Sequence, residues 1–309
     1  MQTVLLTGGT GLIGKALTHR LLKKGFKVIV LTRKIPSSPD VEGLQYSLWN
    51  VKDKIIDVSA IKKADHIIHL AGAGVVDKRW SEAYKKEIQN SRTQSSALLI
   101  NTLKNNENKV QSIVSASAIG WYGADTYQSK EKGFVETDPP DNTFLGETCK
   151  LWEESVDAAS ALGKRIVKLR TGIVLSNEGG ALVEFKKPLR FGLATILGSG
   201  KQVVSWIHVD DLCRMYIDAI QYTNLQGVYN AVAPGPVSNK TLTLALAQIT
   251  RGKFFIPVFV PSFILKIVLG ESSIEVLKST TVSCEKIKQT GFAFLYPSIE
   301  AALTQLSKE

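Results

Sequence analysis

Residues 4 to 25, VLLTGGTGLIGKALTHRLLKKG, limit what this chain can fold into more than any other stretch. An apolar run leads into glycines at 8, 9, 11 and 14, and helix-forming residues begin inside that cluster. Gly8, Gly11 and Gly14 are spaced G-x-x-G-x-x-G, and Gly9 adds G-x-G-x-x-G. A glycine pattern alone says little. Between an apolar strand and a helix it predicts a tight turn without Cβ atoms, open for backbone N–H groups and the positive helix end to approach a pyrophosphate.

The rest of the first half extends this pattern. Strand-like runs recur at TVLLT (3 to 7), KVIVLT (27 to 32), LQYSLW (44 to 49), HIIHLA (66 to 71), VQSIVSAS (110 to 117) and RIVKLR (165 to 170), with helix-length segments between them. Strands apolar on both faces, alternating with helices, predict a parallel sheet covered on both sides. The expected class is α/β: a Rossmann-type doubly wound parallel sheet with a smaller C-terminal α/β lobe. Past about residue 175 the alternation loosens around NEGG, LGSGK and APGP. Residues 1–175 are therefore expected to form the nucleotide-binding domain and 205–225 to return to it, with 176–204 and 226–309 building the smaller lobe.

With 44% hydrophobic residues in a chain of 309, a sizeable core is affordable. The three cysteines, 149, 213 and 284, are odd in number and lack C-x-x-C spacing, and the chain opens directly on a strand-like run, so a reducing cytoplasm is expected. The formal charge of +10 is scattered, with no arginine-rich tail or aromatic-interleaved basic strip, and reads as solvated surface rather than a nucleic-acid site. The apolar run FFIPVFVPSFILKIVLG (254 to 270) contains two prolines and Lys266 and falls short of the roughly 20 residues of a membrane span. It is expected to pack as a bent segment of the smaller lobe, either as core or as lining of a substrate crevice.

Nineteen residues after Gly14 the second strand ends in Arg33, followed by Lys34. An NAD site usually has an acidic residue there for the ribose hydroxyls, whereas arginine suits a 2′-phosphate. NADP is the expected cofactor.

TGGTGLIG, HLAG (69 to 72), SASAIGWYG (115 to 123), LRTGIVL (169 to 175) and SWIHVDD (205 to 211) together resemble the extended short-chain dehydrogenase/reductase superfamily. RWSEAYKKEIQNSR (79 to 92) and GFAFLYPSIEAAL (291 to 303) narrow the resemblance to its atypical branch of epimerase family proteins, whose small C-terminal domain has no assigned function. The resemblance spans nearly the whole chain. It implies a Rossmann fold and a nicotinamide nucleotide, with Thr7, Gly8, Gly11, Leu12, Ile13, Gly14, Leu70, Ala71, Gly72, Lys150 and Thr171 expected to hold it, but no particular reaction; the expected partner is a small-molecule substrate, a small or sugar-like carbonyl or alcohol. An oxidoreductase or epimerase is one reading, and a non-catalytic NADP-binding regulatory or scaffolding protein the other; a homodimer is compatible with both.

Members of that superfamily use a Tyr-x-x-x-Lys pair, with both side chains on one helical face. The lysine holds the nicotinamide ribose, and the tyrosine passes a proton. Here NTFLGETCKLWEE (142 to 154) puts Lys150 in the lysine slot and Gly146 in the tyrosine slot, and none of the eight tyrosines has a lysine four residues later. Ser115 and Ser117, at the carboxyl end of a strand, Tyr122 and Glu147 are the candidates for a replacement acid, with Ser117, Tyr122 and Lys150 taken as the catalytic set. Tyr122 would need a neighbouring cation to depress its pKa. His66 and His69 are expected to point to opposite faces of a strand and to form no metal site. His208 is expected in a turn before a helix capped by Asp210 or Asp211. Arg79 and Trp80 fall in a loop at the same sheet edge.

Overall fold

Residues 1–37 and 41–308 are described by a computed structural model. The strands are β1 (Thr3–Thr7), β2 (Lys27–Thr32), β3 (Leu44–Asn50), β4 (Ile55–Ile56), β5 (His66–His69), β6 (Ser112–Ala118), β7 (Arg165–Thr171), β8 (Ile173–Leu175), β9 (Leu193–Leu197), β10 (Val203–Val204), β11 (Trp206–His208), β12 (Gly227–Ala231), β13 (Val237–Ser238) and β14 (Ile256–Val260). The helices used below are α1 (Leu12–Lys23), α2 (Val58–Lys63), α3 (Glu82–Asn105), α4 (Tyr127–Lys132), α5 (Phe144–Asp157), α6 (Ala181–Leu189), α7 (Val209–Gln221), α8 (Asn239–Arg251) and α9 (Ser262–Leu269).

Eight strands form one sheet in the order β12-β7-β6-β5-β1-β2-β3-β4, parallel except for the terminal β3–β4 pair. The period of two along each strand sends alternate residues to opposite faces. Leu6, Val28, Val30 and Ile68 meet Leu17 and Leu21 of α1 and Met215 and Tyr216 of α7 on one side. Leu5, Ile29, Ile67 and Ile113 meet Ile61 of α2, Leu99 and Leu103 of α3, and Trp152 and Val156 of α5 on the other. This is the doubly wound α/β sheet that the alternating runs predict. From β1 the chain winds outward through β2 and β3, then resumes on the other side at β5. The switch point therefore lies between β1 and β5, where such sheets bind ligands beyond their carboxyl ends.

A smaller α/β lobe has its own core, in which Leu182 and Leu189 of α6, Leu242 and Leu246 of α8 and Trp206 of β11 pack with Ile299 and Leu303 near the C-terminus. Residues 227–231, placed in that lobe on sequence grounds, instead form β12, which pairs with β7 along its whole length from Gly227↔Val167 to Ala231↔Thr171. A five-residue strand with one neighbour carries too short a pattern to reveal its sheet. Buried Asp211 ties the C-terminal segment down, accepting N–H bonds from Leu295 (2.8 Å) and Tyr296 (3.0 Å). The cap of α7 is the ring of His208, whose Nδ1 accepts the Asp210 N–H at 3.0 Å, rather than Asp210 or Asp211. Its Nε2–H is then left to donate to Gln305 at 2.8 Å.

The run 254 to 270 is bent as expected: among the described residues β14 pairs only with β9, Pro261 stands at the turn, and α9 follows. It is not core. Phe259 is 52% and Phe263 63% exposed, because among the described residues no further layer covers β14 and α9 buries Leu265 alone. Replacing either phenylalanine by alanine should therefore change stability by less than about 1 kcal/mol, the range of surface substitutions. A loss of several kcal/mol in urea unfolding would restore the core assignment. Among the described residues no helix is long and apolar enough to cross a membrane.

Candidate functional site

The glycine turn joins β1 to α1 at the switch point. Gly8 has φ 67°, and a Cβ there would lie 2.8 Å from the Leu70 carbonyl carbon, so the turn rests directly on the backbone leaving β5. Gly11 N–H closes the turn onto the Gly8 carbonyl at 3.0 Å. A Cβ at Gly14 would overlap that same carbonyl. Gly11 caps α1 without a side chain, and the first turn has no acidic residue, so the positive end of the helix is neutralised by no side chain of its own first turn. Leu12 also underlies Gly179 and Gly180 of the NEGG turn. Arg33 and Lys34 lie exposed just past β2, the strand that pairs with β1 up to Thr7↔Leu31.

Thr7 and His69 fix the floor of the cradle. The Thr7 hydroxyl accepts the Leu70 (3.1 Å) and Ala71 (3.2 Å) amides, so its own proton goes to His69 Nδ1 at 2.7 Å. The ring therefore carries its hydrogen on Nε2, which faces the hydroxyls of Ser95 and Ser96 at 3.2 Å. His66 is held separately by Ser112 at 2.8 Å. Full burial drives the His69 pKa from 6.5 down to about 4. The unfolded chain thus takes up a proton as pH falls below 6.5 while the folded one does not until about pH 4, and stability declines through that window. The parent protein should lose about 2 kcal/mol between pH 7 and pH 5 from this group. His69→Asn should flatten that slope; identical slopes in urea unfolding would remove His69 from the account.

Helix α5 shows what became of the missing tyrosine. Asp141 N–H donates to the Trp121 carbonyl at 2.7 Å, and the Asp141 carboxylate accepts the Thr143 N–H at 2.8 Å. This pins the loop so tightly against the helix that a Cβ at Gly146 would overlap the Asp141 carbonyl oxygen. The slot is closed by backbone, not merely emptied of a side chain. One turn on, Lys150 is exposed, and among the described residues it makes no hydrogen bond or ion pair. Glu147 is also exposed. Trp80 meets Phe144 edge to face at 5.0 Å at the start of the helix, while Arg79 reaches the Val268 carbonyl at 3.0 Å.

The remaining acid candidates belong to a buried network. Ser117 donates to Glu153 Oε1 at 2.7 Å, and Tyr122 donates to Asn230 Oδ1 at 2.6 Å. Arg170 binds both oxygens of Glu153 (2.8 and 3.2 Å), donates to the Tyr122 hydroxyl at 3.1 Å and stacks 3.6 Å over the Trp121 ring. Asn230 is fixed in turn by Glu136 at 2.8 Å. The cation expected to acidify Tyr122 is present, yet burial outweighs it and pushes the phenol up to about 12. Ser115 is likewise buried and donates to the Ala116 carbonyl at 2.9 Å. Thr171, at the end of β7, turns its hydroxyl back to the Leu169 carbonyl at 3.2 Å.

Sequence reading did not single out Arg92, Asp141, Glu153 or Arg170. Arg92 touches Gly72, where a Cβ would come 3.1 Å from the guanidinium carbon. A period-two reading could have found Arg170, since KLR places charges at 168 and 170 within a strand whose intervening residues, Ile166, Val167 and Leu169, are apolar.

Residues 4–231 match the NAD dependent epimerase/dehydratase family, and residues 260–306 match a domain of unknown function (DUF1731). An epimerase family protein of Staphylococcus saprophyticus is 35% identical over 308 residues, covering 99% of each chain. A crystal structure of a human epimerase family protein with NADPH superposes with a TM-score of 0.85 at 27% identity, covering 99% of each chain. That of a nucleoside-diphosphate sugar epimerase from Corynebacterium glutamicum does so with a TM-score of 0.77 at 30% identity, covering all of this chain and 59% of that one.

Proposed function

Because the chain belongs to the NAD dependent epimerase/dehydratase family, we propose that it binds NADP and acts as an oxidoreductase or epimerase on a small or sugar-like carbonyl or alcohol, without a tyrosine acid on α5. The observation that carries this reading is the glycine cradle at the switch point, shaped so that Cβ atoms at Gly8 and Gly14 would collide with neighbouring backbone. Such a surface fits a pyrophosphate pressed against amides. Arg33 and Lys34, exposed just past β2, are donors suited to a 2′-phosphate, and the exposed Lys150 offers donors suited to the nicotinamide ribose. The human relative solved with NADPH and the sugar-nucleotide epimerase support the same assignment. Three free, buried cysteines support a reducing cytoplasm.

When bound, the nicotinamide supplies the hydride exchange; the protein's share is positioning and the proton. Of Ser117, Tyr122 and Lys150, both hydroxyls already donate within the Glu153–Arg170 network. The Lys150 ammonium keeps its donors and is assigned to hold the ribose and a proton near the substrate oxygen. The closed Gly146 slot favours a second reading, a nucleotide-binding protein without turnover. A metabolite library tested against the NADPH-loaded protein, followed by absorbance of the reduced nicotinamide, separates the two.

Calorimetry should show NADPH binding about tenfold or more tighter than NADH, the scale of charge-assisted hydrogen bonds to a phosphate. Arg33→Ala should narrow that gap. Equal affinities in the parent protein would overturn the NADP assignment.

A further inference from the structure

Arg92 lies on the side of α3 that faces the segment leaving β5, where Ser91 Oγ accepts the Ala73 N–H at 2.9 Å. Its guanidinium sits against Gly72 and 4.9 Å over the Trp152 ring. Nη1 donates to the Ile88 carbonyl of its own helix at 2.8 Å. Among the described residues no carboxylate pairs with it, and Nε and Nη2 carry no bond to protein. Desolvation pulls its pKa below the ordinary arginine value. Two other arginines that reach inward are satisfied: Arg170 by Glu153, and Arg165 by the carbonyls of Ala219, Ile220 and Leu225. An arginine fork that is half-buried and stacked but lacks a protein anion is prepared for an anionic group of matching planar geometry.

We infer that Arg92 is a specificity-determining residue that binds an oxyanion of the substrate, a carboxylate or phosphate, over Gly72. The inference rests on the cofactor reading above. There the pyrophosphate is taken by the glycine turn and the 2′-phosphate by Arg33 and Lys34, which leaves the cofactor no anionic group for a third site beyond β5. The substrate is the remaining source of negative charge.

The test follows thermal unfolding during titration with inorganic phosphate at constant ionic strength, with and without saturating NADPH, alongside calorimetry of NADPH itself. In the NADPH-loaded parent, phosphate should raise the unfolding temperature. Arg92→Met should weaken that response about tenfold or more, Arg92→Lys should retain part of it, and NADPH affinity should be unchanged in both. An equal phosphate response in Arg92→Met overturns the inference, and so does a tenfold loss of NADPH affinity, which would give the arginine to the cofactor. A parent protein that binds phosphate through Arg92 but binds no NADPH would sink the cofactor reading while leaving the anion site standing. Should Arg92→Met not fold, Arg92→Gln carries the same comparison.

Discussion

Gly146→Ala is expected to destabilise the protein by about 3 kcal/mol, and Gly146→Tyr by more, without restoring a catalytic tyrosine. Inserting atoms into a packed site typically costs about 1–3 kcal/mol. At Gly146 the obstacle is the Asp141 carbonyl, held by bonds from its own loop to Trp121 and Thr143. Backbone cannot rotate aside as a side chain tip can, so the upper end of that range applies. Denaturant unfolding of the alanine variant checks the magnitude. If Gly146→Tyr folded with parental stability and gained turnover on any substrate, the slot would be a vacancy after all.

Arg170→Met should be comparably damaging, at about 3–5 kcal/mol, the usual cost of removing one partner from a buried ion pair. Glu153 would remain buried with Lys168 3.6 Å away as its nearest cation, while Tyr122 and the Glu136 carbonyl would each lose a donor. The double variant Arg170→Met with Glu153→Leu should recover part of the loss, because the stranded charge goes with its partner. Urea midpoints for the two singles and the double decide it. A single-variant loss below about 1 kcal/mol would mean that water enters and solvates Glu153.

The layered sheet and the nucleotide turn were legible because their signals are local. The glycine spacing sits on one strand and one helix start, and each central strand is apolar on both faces. Arg33, Lys34 and Lys150 were singled out as residue types at fixed offsets from those landmarks, and the structure leaves all three side chains exposed. What escaped were pairings set by distant chain. Tyr122 looks like a loop phenol until Asn230 and Arg170 surround it. The phenylalanines at 259 and 263 look like core or crevice lining until β14 proves, among the described residues, to pair with β9 alone and leave both rings exposed. Gly146 reads as a lost tyrosine, and nothing in its neighbourhood of sequence reveals that the Asp141 backbone fills the space. His208 capping its own helix was equally hidden, because imidazole is not among the side chains usually favoured there.

The pairing of β12 with β7 governs how this protein can be made. A chain released at residue 175 would carry every element of the nucleotide cradle, yet its sheet would end on β7 with a bare ladder of amides and carbonyls, an invitation to pair with another molecule. Tyr122 would also lack Asn230, the acceptor of its proton. During synthesis the first half must wait for residues 227–231 to leave the ribosome before its last edge is covered, and that interval is when chaperones, or neighbouring nascent chains, have access to it.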